Sequence, residues 1–73
     1  MPERSAEIKK LAAIAADLEI SSELRIKATE QIGNISTHEA FLVLLELAAN
    51  ERLNAKERDF ALQQARGILK SGR

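Results

Sequence analysis

Apolar residues recur at helical spacing in four segments of this 73-residue chain. In the first segment, residues 5–18, apolar side chains lie three or four positions apart and charged ones lie opposite, which predicts an amphipathic helix. The second segment, residues 22–32, follows two serines, either of which can cap a helix. Gly33 and Asn34 tolerate the left-handed conformation that closes a helix, so the pattern predicts that the second helix ends there.

Two capping boxes predict the starts of the third and fourth helices. In this motif a polar side chain accepts a hydrogen bond from the backbone N–H three residues on, and a Glu at that position returns the bond. The two pairs are Ser36 with Glu39 and Asn54 with Glu57. The third helix is apolar almost all round between residues 40 and 49, so we expect it to be the central element, covered on several sides.

The fourth helix is predicted to extend to about Lys70. The inner faces of the three one-sided helices follow from the same three-or-four spacing. The residues expected on these inner faces are Ile8, Leu11, Ala12, Ala15 and Leu18 in the first helix, Leu24, Ala28, Ile32 and Ile35 in and just after the second, and Ala61, Leu62, Ala65, Ile68 and Leu69 in the fourth.

The chain also aligns with itself at an offset of 33 positions. The cap candidates Ser21 and Asn54 coincide in this alignment, which predicts that residues 5–35 and 36–70 are two helical hairpins that stack on each other. The expected fold is therefore all-α, with four helices in two stacked antiparallel hairpins. The identical pairs are Leu11 and Leu44, Ala15 and Ala48, Ala16 and Ala49, Arg25 and Arg58, Ala28 and Ala61, Gln31 and Gln64, and Ile35 and Ile68.

The second half resembles a HEAT repeat, in which an apolar first helix and a short turn precede an Arg-x-x-Ala opening of the second helix. The first half carries a fainter copy of the pattern. An acid is expected in the turn, and Asp17 supplies it in the first half, but Asn50 stands there in the second, and the proline often found in the first helix is missing. The resemblance implies a HEAT-like α–α superhelix that acts as a scaffold for other proteins. The residues that carry it are Leu44, Leu45, Leu47, Ala48, Arg58, Ala61, Ala65, Ile68 and Leu69, with Leu11, Ile14, Ala15, Arg25, Ala28 and Ile32 in the first half.

Composition and charge narrow the class of protein. Eleven acidic residues balance eleven Lys and Arg, which gives no electrostatic footprint for nucleic acid or an anionic membrane. The chain has no cysteine, and its longest apolar run, residues 40–45, is too short to cross a bilayer. No signal peptide is visible, so we expect one cytoplasmic domain over residues 1–73.

Candidate catalytic groups are few. His38 is the single histidine, and no Ser, Cys or acid is placed by sequence to form a triad with it. Glu39 and Glu46 share one face of the third helix and fit a solvated arc, and the three glycines are isolated from one another. We therefore expect no enzyme activity, no metal, no cofactor and no small-molecule substrate.

The expected partner is another protein or a second copy of the chain, as a homodimer, because two repeats are fewer than the three or so that an array normally needs. Ile26 and Phe60 are apolar but lie off the inner faces of their helices. The predicted protein-binding residues on this face of the second and fourth helices are Ile26, Glu30, Phe60, Gln63 and Gln64.

A nucleic-acid-associated domain is the alternative. It would use basic residues of the second and fourth helices, which are interleaved with acids. Two of them, Arg25 and Arg58, also fit a structural role, bonding to turn carbonyls or to Asp17 and Asn50 within each hairpin. The basic residues are Arg25, Lys27, Arg58, Arg66 and Lys70.

Overall fold

Four α-helices make up the part of the chain that the structure describes. The computed structural model describes the backbone of residues 2–72 and the side chains of residues 5–70. Within that range no strand is present, and the predicted all-α fold is confirmed. The helices are α1 (Pro2–Ala15), α2 (Ser22–Ile35), α3 (His38–Ala48) and α4 (Ala55–Gly72).

The helices pack as two antiparallel hairpins, α1 with α2 and α3 with α4. Helix α2 also contacts α3 and α4, and α1 also contacts α3, whereas the described residues of α1 and α4 do not meet. The two middle helices, α2 and α3, are therefore both central, whereas α3 alone was predicted to be central. Leu42 and Leu45 of α3 remain exposed, so the expected cover on several sides is incomplete.

The core lies between the two hairpins and is built from small and aliphatic side chains. Its largest fully buried members are Ile8, Ile32 and Leu44. Burial of a side chain of this size stabilises a fold by about 1.5–3 kcal/mol. The other buried apolar residues are Ala15, Ala28, Ala40, Leu47, Leu53, Ala61, Ala65 and Ile68.

Four residues that the sequence placed on inner faces are instead exposed: Leu18, Leu24, Leu62 and Leu69. Helix α1 ends at Ala15, so Leu18 lies in the following turn. Leu62 and Leu69 each follow a buried position of α4 by one residue, which turns their side chains about 100° away from it. Leu24 lies in the first turn of α2.

The junction between α2 and α3 differs from the prediction. Gly33 remains helical, and the left-handed residue that ends α2 is Ser36, with φ 60° and ψ 30°. The Ser36 Oγ donates to the Gly33 carbonyl at 2.8 Å and so satisfies a carbonyl at the helix end. The N-cap of α3 is Thr37, whose Oγ1 accepts from the Ala40 N–H at 3.1 Å.

The predicted capping box of Ser36 and Glu39 is therefore wrong, because Ser36 closes one helix and cannot also open the next. Glu39 instead accepts a hydrogen bond from the Ser5 Oγ at 3.0 Å, which joins α3 to α1. The second capping box is confirmed. The Glu57 N–H donates to Asn54 Oδ1 at 2.8 Å, and the Asn54 N–H donates to Glu57 Oε1 at 3.3 Å.

Candidate interaction surfaces

One buried ion pair joins the two hairpins. The Nη2 and Nε of Arg25 donate to Glu57 Oε2 at 2.7 Å and 3.1 Å, and the Ser22 Oγ donates to the same oxygen. Three donors from α2 thus converge on one carboxylate oxygen of α4. Charge-assisted bonds of this kind are stronger than neutral ones, so the pair fixes how the second hairpin sits on the first.

Hydrogen bonds outweigh the effect of burial on the pKa of the Glu57 carboxyl. Burial raises this pKa. The hydrogen bonds from Arg25, from Ser22 and from the Asn54 N–H, together with the Arg25 charge, lower it by more, so the pKa lies below its ordinary value. Glu57 is therefore ionised at neutral pH, as the ion pair requires.

The sequence predicted bonds from Arg25 to turn carbonyls and gave Glu57 a capping role alone. Arg25 Nη1 does donate to the carbonyls of Asp17 at 3.1 Å and Ile20 at 2.7 Å. The bond between Arg25 and Glu57 was missed. A signal for it exists, since Glu57 shares a helical face with buried Ala61 and Ile68, where a carboxylate needs a partner.

The turns inside the two hairpins have the same hydrogen bonds. Asp17 Oδ1 accepts from the Glu19 N–H at 2.9 Å, and 33 positions later Asn50 Oδ1 accepts from the Arg52 N–H at 3.0 Å. Asn50 therefore does the work of the turn acid that the second half lacks. The backbone bonds within both turns also correspond at the same offset.

Arg58 takes the place of Arg25 in the second hairpin but lacks its ionic partner. Its Nε donates to the Ala48 carbonyl at 3.4 Å, and it makes no ion pair with any residue that the structure describes. Beside it lies a groove of about 260 Å³ that faces the outside of the second hairpin. The groove is lined by Ala48, Ala55, Arg58, Asp59 and Leu62.

The predicted protein-binding residues are brought together only in part. Ile26, Phe60 and Gln63 line one groove of about 390 Å³ between α2 and α4, with Lys56 and Asp59. Both apolar members are half-buried there. We call this the α2–α4 groove.

The two other predicted residues do not line this groove. Glu30 is exposed on α2. Gln64 is half-buried and lies over Gly33, where an added Cβ would come within 2.1 Å of its Oε1. Gln64 therefore contributes to the packing of α2 on α4.

No family model, curated protein or solved structure matches the chain.

Seven large apolar side chains are exposed among the residues whose side chains the structure describes. Several of them were predicted to lie in the core, so the sequence analysis did not identify them as exposed residues. They are Ile14, Leu18 and Leu24 in the first hairpin and Leu42, Leu45, Leu62 and Leu69 in the second.

The remaining candidates for chemistry lie apart from one another. His38 is exposed at the first position of α3. Residues 5–70 contain no group of three His, Cys, Asp or Glu side chains that could hold a metal ion. None of the described helices is long and apolar enough to cross a membrane.

Two of the five basic residues that the sequence singled out on α2 and α4 are engaged inside the fold. Arg25 and Arg58 bond to the protein itself. Lys27, Arg66 and Lys70 are exposed. Arg66 and Lys70 border a third groove of about 560 Å³ along α4, together with Gln63, Gly67 and Leu69.

Proposed function

We propose that this chain is a HEAT-like helical-repeat interaction module that binds protein, including a second copy of itself. The observation that carries the proposal is the set of seven exposed large apolar side chains. Removal of apolar surface from water contributes about 25 cal/mol per Å², so a protein surface that covers these side chains is stabilised by doing so. Where such side chains form a contiguous exposed patch, the patch typically marks an interaction site.

The correspondence between the two hairpins supports the repeat in this proposal. Equivalent residues do equivalent work in the turns, since Arg25 and Arg58 each bond to a carbonyl at the end of the preceding helix or in its turn. Asp17 and Asn50 each accept a bond from the N–H two residues on. Repeat units of this kind bury one face on a neighbour and present another.

The molecular mass in solution tests the proposal. Light scattering or sedimentation would be measured from low micromolar concentration up to about 1 mM, where a contact worth about 4 kcal/mol is half-saturated. We expect a mass that rises above the 8.1 kDa of one chain. A mass that stays at one chain over the whole range would contradict self-association.

The nucleic-acid alternative has weaker support, because internal bonds engage Arg25 and Arg58, two of the five basic residues that it names. Phosphate contacts weaken with salt in proportion to their number. Retention on heparin that falls steeply with salt would favour this alternative over protein binding.

A further inference from the structure

We infer that copies of this chain associate head to tail, the outer surface of the second hairpin of one copy packing on the outer surface of the first hairpin of the next. The inference rests on the repeat proposed above. The interface between the two hairpins within the chain shows which side chains such a contact covers. The residues 33 positions away from those side chains would form the same kind of contact between two copies.

The first hairpin presents Ser22, Arg25 and Thr29 on α2. Ser22 and Arg25 bond to Glu57 of the second hairpin. Thr29 is 5% exposed, whereas Leu62, its equivalent on α4, is 40% exposed. A position that is buried on the first hairpin is therefore exposed at its equivalent on the second hairpin.

The groove beside Arg58 is part of this uncovered surface. Its lining positions Ala48, Ala55 and Arg58 are the equivalents of Ala15, Ser22 and Arg25. On the first hairpin, the Glu57 carboxylate occupies the space against Ser22 and Arg25. On the second hairpin the corresponding space is an open groove of about 260 Å³.

On the first hairpin, residues equivalent to buried residues of the second hairpin are exposed. Leu47 and Glu57 of the second hairpin are 5% and 4% exposed. Their equivalents Ile14 and Leu24 are 42% and 51% exposed. The chain therefore displays both halves of its internal interface a second time, one on each outer side.

The two outer surfaces are more apolar than the internal interface at the positions around Glu57. Within the chain, Glu57 meets Ser22 and Arg25, so the contact at these positions is polar. At the equivalent positions Glu57 is replaced by Leu24, Ser22 by Ala55 and Thr29 by Leu62. Arg58 keeps the charge of Arg25, but its Nε donates to the Ala48 carbonyl of its own hairpin. The apolar residues on both sides of the contact favour a second copy of this chain as the occupant.

One position requires a wider spacing than in the internal interface. Gly33 admits Gln64 at close range, and a Cβ there would lie 2.1 Å from the Gln64 Oε1. The residue equivalent to Gly33 is Arg66, and the residue equivalent to Gln64 is Gln31, so both have long side chains. The copies therefore approach most closely near Leu24 and Leu62, and their helices diverge toward Arg66.

Introducing a positive charge on one surface at a time tests the arrangement. We expect Leu24→Lys and Leu62→Lys each to weaken association at least about tenfold, because a second cation would be buried in the contact beside the Arg58 guanidinium. Both residues are exposed within one chain, so far-UV circular dichroism and thermal unfolding should stay close to those of the unchanged protein.

Mixing the two variants is the decisive measurement. Leu24→Lys keeps the second-hairpin surface intact and Leu62→Lys keeps the first-hairpin surface, so an equimolar mixture should form complexes of two chains that grow no further. The unchanged chain should grow beyond two, since a head-to-tail contact does not close on itself unless its rotation forms a ring. Leu42→Lys is the matched control, because its equivalent Lys9 is exposed in the folded chain, and this variant should associate normally.

The outcomes separate this inference from the proposed function. A chain that associates, but whose two variants fail to complement each other, would overturn the head-to-tail contact and leave self-association standing. Association that is unchanged in both variants would overturn it in the same way. A chain that is monomeric throughout would overturn both.

Discussion

Glu57 shows how one side chain can serve local and long-range structure together. Its Oε1 accepts from the Asn54 N–H and closes the capping box of α4. Its Oε2 accepts from Arg25 and Ser22 across the hairpin interface. The capping role could be predicted because its residues are three apart in sequence. The ion pair could not be predicted in the same way, since Arg25 and Glu57 are 32 positions apart and meet only when the hairpins stack.

The stability of the fold should therefore depend on pH through Glu57. The pKa of its carboxyl is lower in the folded chain than its ordinary value, which is about 4.3 in an unfolded chain. Between the two values the unfolded chain binds more protons. The free energy of unfolding gained from Glu57 is complete above the unfolded pKa and is lost as the pH falls through the folded pKa.

Urea denaturation at a series of pH values between 7 and about 2 would measure this effect. Other carboxyls titrate in the same range, so the comparison is with Glu57→Gln, which keeps the shape and a hydrogen-bond acceptor but has no charge. We expect the unchanged chain to be more stable than this variant at pH 7 and the difference to vanish in acid. A difference that is constant with pH would contradict the role of the charge.

At the scale of the helix, Gly33 and Ser36 both have roles that differ from those predicted for them. Gly33 tolerates a left-handed backbone, which made it a candidate helix end, but it stays helical, and Gln64 of α4 packs against it. Ser36 takes the left-handed conformation in its place. The spacing of apolar residues located all four helices, but a helix end depends on what packs beside it, and the sequence does not show that directly.

Two glycine substitutions should separate these effects. Gly67 of α4 is helical with open space around it, so Gly67→Ala should raise the free energy of unfolding by about 0.5–1 kcal/mol. Gly33→Ala gains the same backbone term, but its new methyl group meets the Gln64 side chain and displaces it. We expect Gly33→Ala to fall short of Gly67→Ala in urea denaturation.

The matching control for the glycine pair is the double variant Gly33→Ala with Gln64→Ala, compared with Gln64→Ala alone. Once the long side chain is removed, the alanine at position 33 should show most of the backbone gain. A Gly33→Ala protein already as stable as Gly67→Ala would mean that Gln64 moves aside without loss.

At the scale of the whole molecule, periodicity predicted more of the fold than of its surface. The four helices and their pairing into hairpins follow from local spacing and short turns. Leu24 and Leu62 were predicted to be core residues, yet they are exposed, and in the head-to-tail arrangement inferred above a second copy covers them. Ile26 and Phe60, in contrast, were singled out by their off-face positions, and they do line one groove.

Phe60 decides between the α2–α4 groove and the outer surfaces of the hairpins as the site of self-association. Its equivalent in the first hairpin is Lys27, which is exposed, so the head-to-tail arrangement leaves Phe60 outside the contact. Phe60→Asp should therefore leave the molecular mass at each concentration unchanged. It should lower the free energy of unfolding by about 1–2 kcal/mol, because a half-buried ring beside Ile26 is replaced by a charge.

The molecular mass and the free energy of unfolding are both needed to interpret Phe60→Asp, because an unfolded chain would also fail to associate. If Phe60→Asp remained helical but became monomeric while Leu62→Lys still associated, the contact would lie in the α2–α4 groove, as the sequence alone suggests. Unchanged mass with reduced stability would instead assign Phe60 to the packing of α2 on α4. Because Phe60 lies against Ile26 between α2 and α4, and its equivalent Lys27 is exposed, we expect the second result.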